Sequence, residues 1–243
     1  MCSKTLDREE IKLFNSLAID WWNEEGKMSV LHAMSEARMS YIRKNIIDHF
    51  GIRSNLVKAF KGLKILDVGC GGGISSEPLA RMGGKITGID HSKELIKVAK
   101  NHSEEMGLKI KYLNLDIKEI AESKEKFDVV VALELLEHVK DFAAFCEYLS
   151  KCIKPEGMII LSTINRNFLS NFVVINLAEK ILKKLPKGTH DYKKFIQPAE
   201  LEIVYKKLGY SIKNIKGLSF LPLNRWVVTN NTNINYICAF IKN

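Results

Sequence analysis

Apolar positions along this 243-residue chain follow two different rhythms. Over residues 5–60 they recur at helical spacing. Ile11, Phe14, Leu17 and Ala18 predict one helix, opened by Asp7-Arg8-Glu9-Glu10, whose acids suit the positive end of a helix dipole. Met39, Ile42, Ile46 and Ile47 predict a second helix over 35–50, with Trp21-Trp22 and a Glu24-Glu25-Gly26 turn between the two. From Lys61 onward short apolar runs alternate with helical stretches. Strands are predicted at Lys64–Val68, Lys85–Ile89, 109–115, Phe127–Leu133, 158–162, 211–216 and 233–241, with helices at 74–82, 93–106, Phe142–Cys152 and 198–208. Pro155-Glu156-Gly157 reads as the turn into the fifth strand. This alternation predicts an α/β fold: a mostly parallel sheet of seven strands with helices on both faces. Residues 1–60 form a helical cap and residues 61–243 the sheet domain. Such sheets bind ligands at the carboxyl ends of their strands, where Gly69, Asp90, Asp116 and Leu133 fall. A cap over those ends either shields a reaction from water or simply packs on the core.

One stretch interrupts the alternation. After the fifth strand, residues 168–185 have helical character, within an insertion of about 168–191. Projected at about 100° per residue, Asn176, Glu179, Lys180, Lys183 and Lys184 share one arc. Val174, Ala178, Ile181, Leu182 and Leu185 share the opposite arc, and Pro186-Lys187-Gly188 closes the segment. This is the composition of a helix lying on a membrane surface, and equally of a helix packed on the domain with a solvated basic face.

Composition changes this picture little. The hydrophobic fraction of 46% is that of a globular protein. No run of about 18 apolar residues suggests a membrane span, and Met1-Cys2-Ser3-Lys4 lacks the apolar core of a signal peptide. Five scattered cysteines without a Cys-x-x-Cys pair fit a reducing compartment and argue against structural zinc. The net charge of +9 suits an anionic partner without choosing one.

The chemistry begins where the first strand breaks into glycine, at Leu66-Asp67-Val68-Gly69-Cys70-Gly71-Gly72-Gly73. Glycine lets backbone pass close under a ligand and take positive φ. The dinucleotide fingerprint needs glycine at its sixth position, where this chain has Ile74. The D-x-G-x-G-x-G run instead resembles the first motif of class I S-adenosylmethionine-dependent methyltransferases. Asp90 follows Gly69 by 21 residues, at the tip of the second strand. There it is placed to accept both ribose hydroxyls, although Asp is also a favoured helix N-cap.

After the fourth strand comes Leu133-Glu134-Leu135-Leu136-Glu137-His138-Val139. If this turns helical, Glu134, Glu137 and His138 share one face. His138 then reads as a general base for an acceptor hydroxyl, or the three side chains as ligands of magnesium or manganese, or the Glu-His pair as loop caps.

Taken together, the chain resembles the ubiquinone biosynthesis O-methyltransferases over nearly its whole length. The resemblance rests on Phe14, Trp21-Trp22 and Gly26, on Leu31-His32, on Arg38 with Tyr41-Ile42, and on the two motifs above. Its narrowest markers are Ser162-Thr163-Ile164-Asn165-Arg166-Asn167, Pro186-Lys187-Gly188-Thr189-His190-Asp191, and Lys194-Phe195-Ile196 with Pro198-Ala199-Glu200-Leu201. It implies S-adenosylmethionine as methyl donor and polyprenylated phenols or quinols as acceptors, at both O-methylation steps. Arg38, Gly69, Asp90 and Leu133 would form the donor site. Glu134, Glu137 and His138 match positions that bind magnesium in eukaryotic members. The acceptor tail favours an anionic membrane contact through 168–187, a cytoplasmic location on the inner membrane face, and neighbouring enzymes of the same route as partners. No Asn-Pro-Pro-Tyr motif or separate basic arm points to nucleic acid. The agreement is weakest over 220–233, a stretch that would bear on tail length and ring preference if it lines the acceptor pocket.

Overall fold

The computed structural model of the protein describes residues 8–167, Ser170, 192–221 and 225–243. The segment 168–187, read above as a membrane helix, lies outside the described residues apart from Ser170.

Helix α1 (Arg8–Leu17) and a 3-10 turn (Ala18–Asp20) lead to α2 (Ser29–Phe50), which ends on Gly51 in the left-handed region. The alternating part follows as β1 (Lys64–Val68), α3 (Ser76–Arg81), β2 (Lys85–Ile89), α4 (Lys93–Glu105) and β3 (Lys111–Leu113). It continues as α5 (Ile117–Glu122), β4 (Phe127–Leu133), α6 (Phe142–Cys152), β5 (Ile153–Ile164) and α7 (Pro198–Lys207). The chain closes with β6 (Tyr210–Leu221), β7 (Arg225–Thr229) and β8 (Asn235–Lys242).

The strands form one sheet of order β3-β2-β1-β4-β5-β8-β6-β7. Pairing is parallel from β3 to β5 and antiparallel from β5 through β8 and β6 to β7. Successive side chains point to opposite faces, and both faces are covered. Leu66, Val68, Val130 and Ala132 join α5, α6 and α7 in one core. Ile65, Val129, Val131 and Leu133 join α2 and α3 in the other. This burial on both sides explains why the inner strands read as unbroken apolar runs.

The expected mostly parallel α/β sheet is present, with differences of detail. There are eight strands because 220–233 contains the end of β6 and all of β7. Strand β5 begins at Ile153, so Pro155-Glu156-Gly157 lies inside it. Phe127 pairs with Ile153 and Val129 with Met158, so a bulge absorbs the surplus residues. A bulge is also where a strand tolerates a proline that has no N–H to donate. Helix α5 was not anticipated from periodicity. Asp116 opens it with a capping box closed by Glu119.

Candidate active site

The turn after β1 is fastened to the tip of β2: the Gly69 and Cys70 amides donate to the Ile89 carbonyl at 2.8 and 3.0 Å. Gly69, Gly71 and Gly73 have φ of +70°, +52° and +100°, values that disfavour any side chain. Space forbids one as well. A Cβ on Gly71 would stand 2.4 Å from Trp21 Cζ2, and one on Gly72 2.3 Å from Trp21 Cδ1. The indole of the N-terminal segment therefore lies directly on the glycine turn. Trp22 Nε1 donates to the Gly72 carbonyl at 3.0 Å, and its ring stacks on His102 at 3.6 Å. His102 Nδ1 lies 2.5 Å from Glu77 Oε1.

Asp90 leaves the tip of β2 beside this turn. The Gly71 amide donates to its Oδ2 at 3.0 Å and the Ser92 amide to its Oδ1 at 2.7 Å. Desolvation on burial raises its pKa, and those two bonds oppose the rise. The cap of α4 is Ser92, whose Oγ accepts from the Leu95 amide, so capping does not account for Asp90. Behind the turn Asp67 is buried and accepts from Ser76 Oγ at 2.6 Å. Burial pushes it up to about 7, with the Ser76 bond lowering it and Asp90 raising it.

A cleft enclosing about 710 Å³, its open mouth included, is lined by Phe14, Trp21, Arg38, Gly69, Asp90, Leu133 and Glu134, among others. Beside Gly69 and Asp90 a second, narrower space runs between Val68, Ile89, Leu115, Leu135 and Val139, with His91 on its wall. Two buried donors, Trp21 Nε1 and Arg38 Nε, have no hydrogen-bond partner among the described residues; both belong to residues lining the cleft. The arrangement runs from a guanidinium at one end through a carboxylate to an apolar slot. It matches in order a carboxylate, a ribose and a purine, which fits S-adenosylmethionine.

The predicted donor residues Arg38, Gly69, Asp90 and Leu133 therefore meet at one cleft. Arg38 arrives on α2, buried to 3% exposure. Its Nη2 stands 3.1 Å from Glu134 Oε1 and 3.4 Å from Met34 Sδ.

Glu134 does not continue a helix. It takes φ of +49°, and a 3-10 turn, Leu136–His138, follows. Tertiary bonds hold this conformation: the Glu134 amide reaches the Ser162 carbonyl at 3.0 Å, and Ser162 Oγ donates to Glu134 Oε1 at 2.7 Å. Glu137 is buried and accepts from Thr163 Oγ1 at 2.6 Å. Its pKa is raised by burial first and by Glu134 second, against the lowering influence of His138 and Thr163. Phe14 meets His138 edge to face, with ring centroids 5.3 Å apart.

This arrangement does not fit a divalent cation. Glu134 is held by Arg38 and Ser162, and Glu137 by Thr163. Among the described residues no three His, Cys, Asp or Glu stand as a metal-binding group.

Periodicity did not single out His91, Leu115 or Leu135 as lining residues, or Trp21 as the cover of the glycine turn. Asp116 was placed at a strand tip, and the structure shows it 3.1 Å from His91 Nε2.

A glycine turn between β1 and α3, an acid ending β2, and this strand order define a class I methyltransferase. A family model described as a methyltransferase domain matches residues 59–217. A relative from Pelagibacter ubique named "Ubiquinone biosynthesis O-methyltransferase" is 44% identical over 240 residues, covering 98% of this chain and 99% of its own. One of the same name from Azorhizobium caulinodans is 41% identical, covering 96% and 92%. The chain belongs to the ubiquinone biosynthesis O-methyltransferase family. In fold it resembles magnesium protoporphyrin IX methyltransferase from Synechocystis, solved with bound SAH, at a TM-score of 0.66 and 18% identity over 97% of this chain and 98% of that one.

Proposed function

We propose that this chain moves the methyl group of S-adenosylmethionine to phenolic hydroxyls of polyprenylated ubiquinone precursors, at both O-methylation steps. The observation that carries the reading is the meeting of Arg38, Gly69, Asp90, Leu133 and Glu134 at one cleft, with His138 behind Phe14 of its wall. Similarity over almost the full length to the named relatives supports the acceptor class.

S-adenosylmethionine supplies an electrophilic methyl on a sulfonium. Arg38 binds its carboxylate, Asp90 accepts from the ribose hydroxyls, and the slot between Ile89, Leu115 and Leu135 takes the purine. An acceptor phenol of pKa about 10 is only about 0.1% ionised at pH 7. His138 takes the phenolic proton as oxygen attacks, a role worth about 10²–10⁴-fold in rate. Phe14 packs edge to face against the imidazole. The described part of the N-terminal cap packs on the sheet domain: Ser92 Oγ donates to Asn15 Oδ1 at 2.5 Å, and Trp21 excludes water over the glycine turn.

The acceptor's tail resides in a bilayer. We therefore assign the protein to the cytoplasmic membrane face, held through 168–187 and beside other enzymes of the route. Lys180, Lys183, Lys184 and Lys187 contribute about 1 kcal/mol each near an anionic surface. No helix among the described residues is long and apolar enough to cross a membrane.

The test is turnover with labelled donor on two acceptors, a prenylated catechol and the same ring without its hydroxyls, by the wild-type chain and Asp90→Asn. The expected result is product from the catechol alone, with donor affinity reduced in the variant. Methylation of the ring lacking hydroxyls would identify a C-methylase instead. Donor binding without any product would leave a binding protein.

A further inference from the structure

Strand β6 outruns the sheet. Its pairing with β8 ends at Gly217 opposite Tyr236, close to where β8 meets the end of β5 at Ile164. Leu218, Ser219, Phe220 and Leu221 pair with β7 alone. Four residues at about 3.3 Å each extend about 13 Å beyond the sheet. Strand β6 runs parallel to β5, because each is antiparallel to β8. The projection therefore leaves the same edge that carries Gly69, Asp90 and Glu134.

The projecting hairpin has an apolar face. Phe220 and Trp226 lie opposite each other, with rings 5.4 Å apart. Phe220 is 55% exposed, and Leu221, the next residue, points to the opposite face. By strand alternation Phe220 shares the face of Leu218, which is buried in the core that holds α2 and Leu133, and Trp226 packs against that core. Helix α2 joins the two places: Arg38 reaches Glu134 in the cleft, and Tyr41 Oη donates to the Asn214 carbonyl of β6 at 2.8 Å. Helix α2 and the core beneath it thus link the tip of β4 to the base of the Phe220–Trp226 pair.

We propose that Phe220 and Trp226 form a subsite for the isoprenoid tail of the acceptor while the ring lies at Glu134 and His138. This rests on the acceptor class proposed above. An apolar chain fits because the exposed pair is aromatic and projects from the edge that carries the reacting residues.

The test compares Phe220→Ser with the wild type on two catechols, one carrying two or three isoprene units and one without a tail, each in detergent-free solution. Ile203→Ser on α7, which removes a similarly exposed apolar side chain, is the control. The expected result is a rise of about tenfold in KM for the prenylated acceptor, with its kcat, the donor KM and turnover of the tail-less catechol unchanged. Equal effects on both acceptors, or none, would overturn the subsite. So would loss of binding to acceptor-free anionic vesicles with acceptor KM unchanged, which would give the patch to the bilayer. Failure of the wild type to methylate either catechol would instead overturn the function on which the subsite rests.

Discussion

Arg38 Nη2 and Glu134 Oε1 stand 3.1 Å apart, joining the helical cap to the tip of β4 across the cleft. Arg38 is buried and its Nε has no partner among the described residues. Arg38 therefore keeps hydrogen-bond donor capacity beyond what Glu134 uses, where a donor carboxylate would bind. Charge-assisted bonds of this kind contribute about 1.5–3 kcal/mol, or roughly 10- to 100-fold in affinity. Arg38→Ala is expected to weaken binding of S-adenosylhomocysteine by that factor, read by calorimetry. Glu134→Gln, which keeps the guanidinium, should weaken it far less.

The indole of Trp21 lies on the glycine turn. Gly71→Ala adds a methyl 2.4 Å from Trp21 Cζ2 at a φ of +52°, a conformation that costs a residue with a side chain about 1–2 kcal/mol. The variant should fold with a lowered Tm, bind donor at least tenfold more weakly, and show altered tryptophan fluorescence as the ring is displaced.

These relationships were unequally legible in the sequence. The strand, glycine turn and Asp90 could be read because each is local: an apolar run, a cluster of one residue type, and a fixed spacing. Helix α5 is six residues long, too short for periodicity to register, although Asp116 and Glu119 carried its capping signal. Strand β7 was hidden between Pro222 and an asparagine-rich turn. The backbone at Glu134 had no local signal at all. Its positive φ is held by Ser162 and its carboxylate by Arg38, partners remote in sequence. For that reason a helical face of Glu134, Glu137 and His138 was a reasonable expectation from spacing, and a 3-10 turn is what forms.

Asp67 offers a pH test with a definite sign. Its pKa rises from 3.8 to about 7 on folding, chiefly through burial. Between those values the folded protein holds more protons than the unfolded chain, so the stabilising difference is present at low pH and lost as pH rises toward 7. Asp67→Asn should flatten this part of the stability profile, measured as urea midpoints from about pH 4 to 7.5.

His138 is assigned the acceptor's proton. His138→Ala should lower kcat by about 10²–10⁴-fold while leaving donor affinity within about twofold. Raising pH should recover part of the loss, because more phenolate is then present without a base. Since Glu134 and Glu137 are engaged by protein donors, a chelator should leave wild-type activity unchanged; a loss restored by magnesium would contradict this reading of the two carboxylates.

The most direct measurement is the position of a labelled methyl group after incubation with S-adenosylmethionine and a short-tailed demethylated ubiquinol. Mass spectrometry of the product should find one label on a ring oxygen, formed by the wild type and strongly reduced with His138→Ala. Label on a ring carbon, or no labelled product while donor binding is intact, would contradict the account.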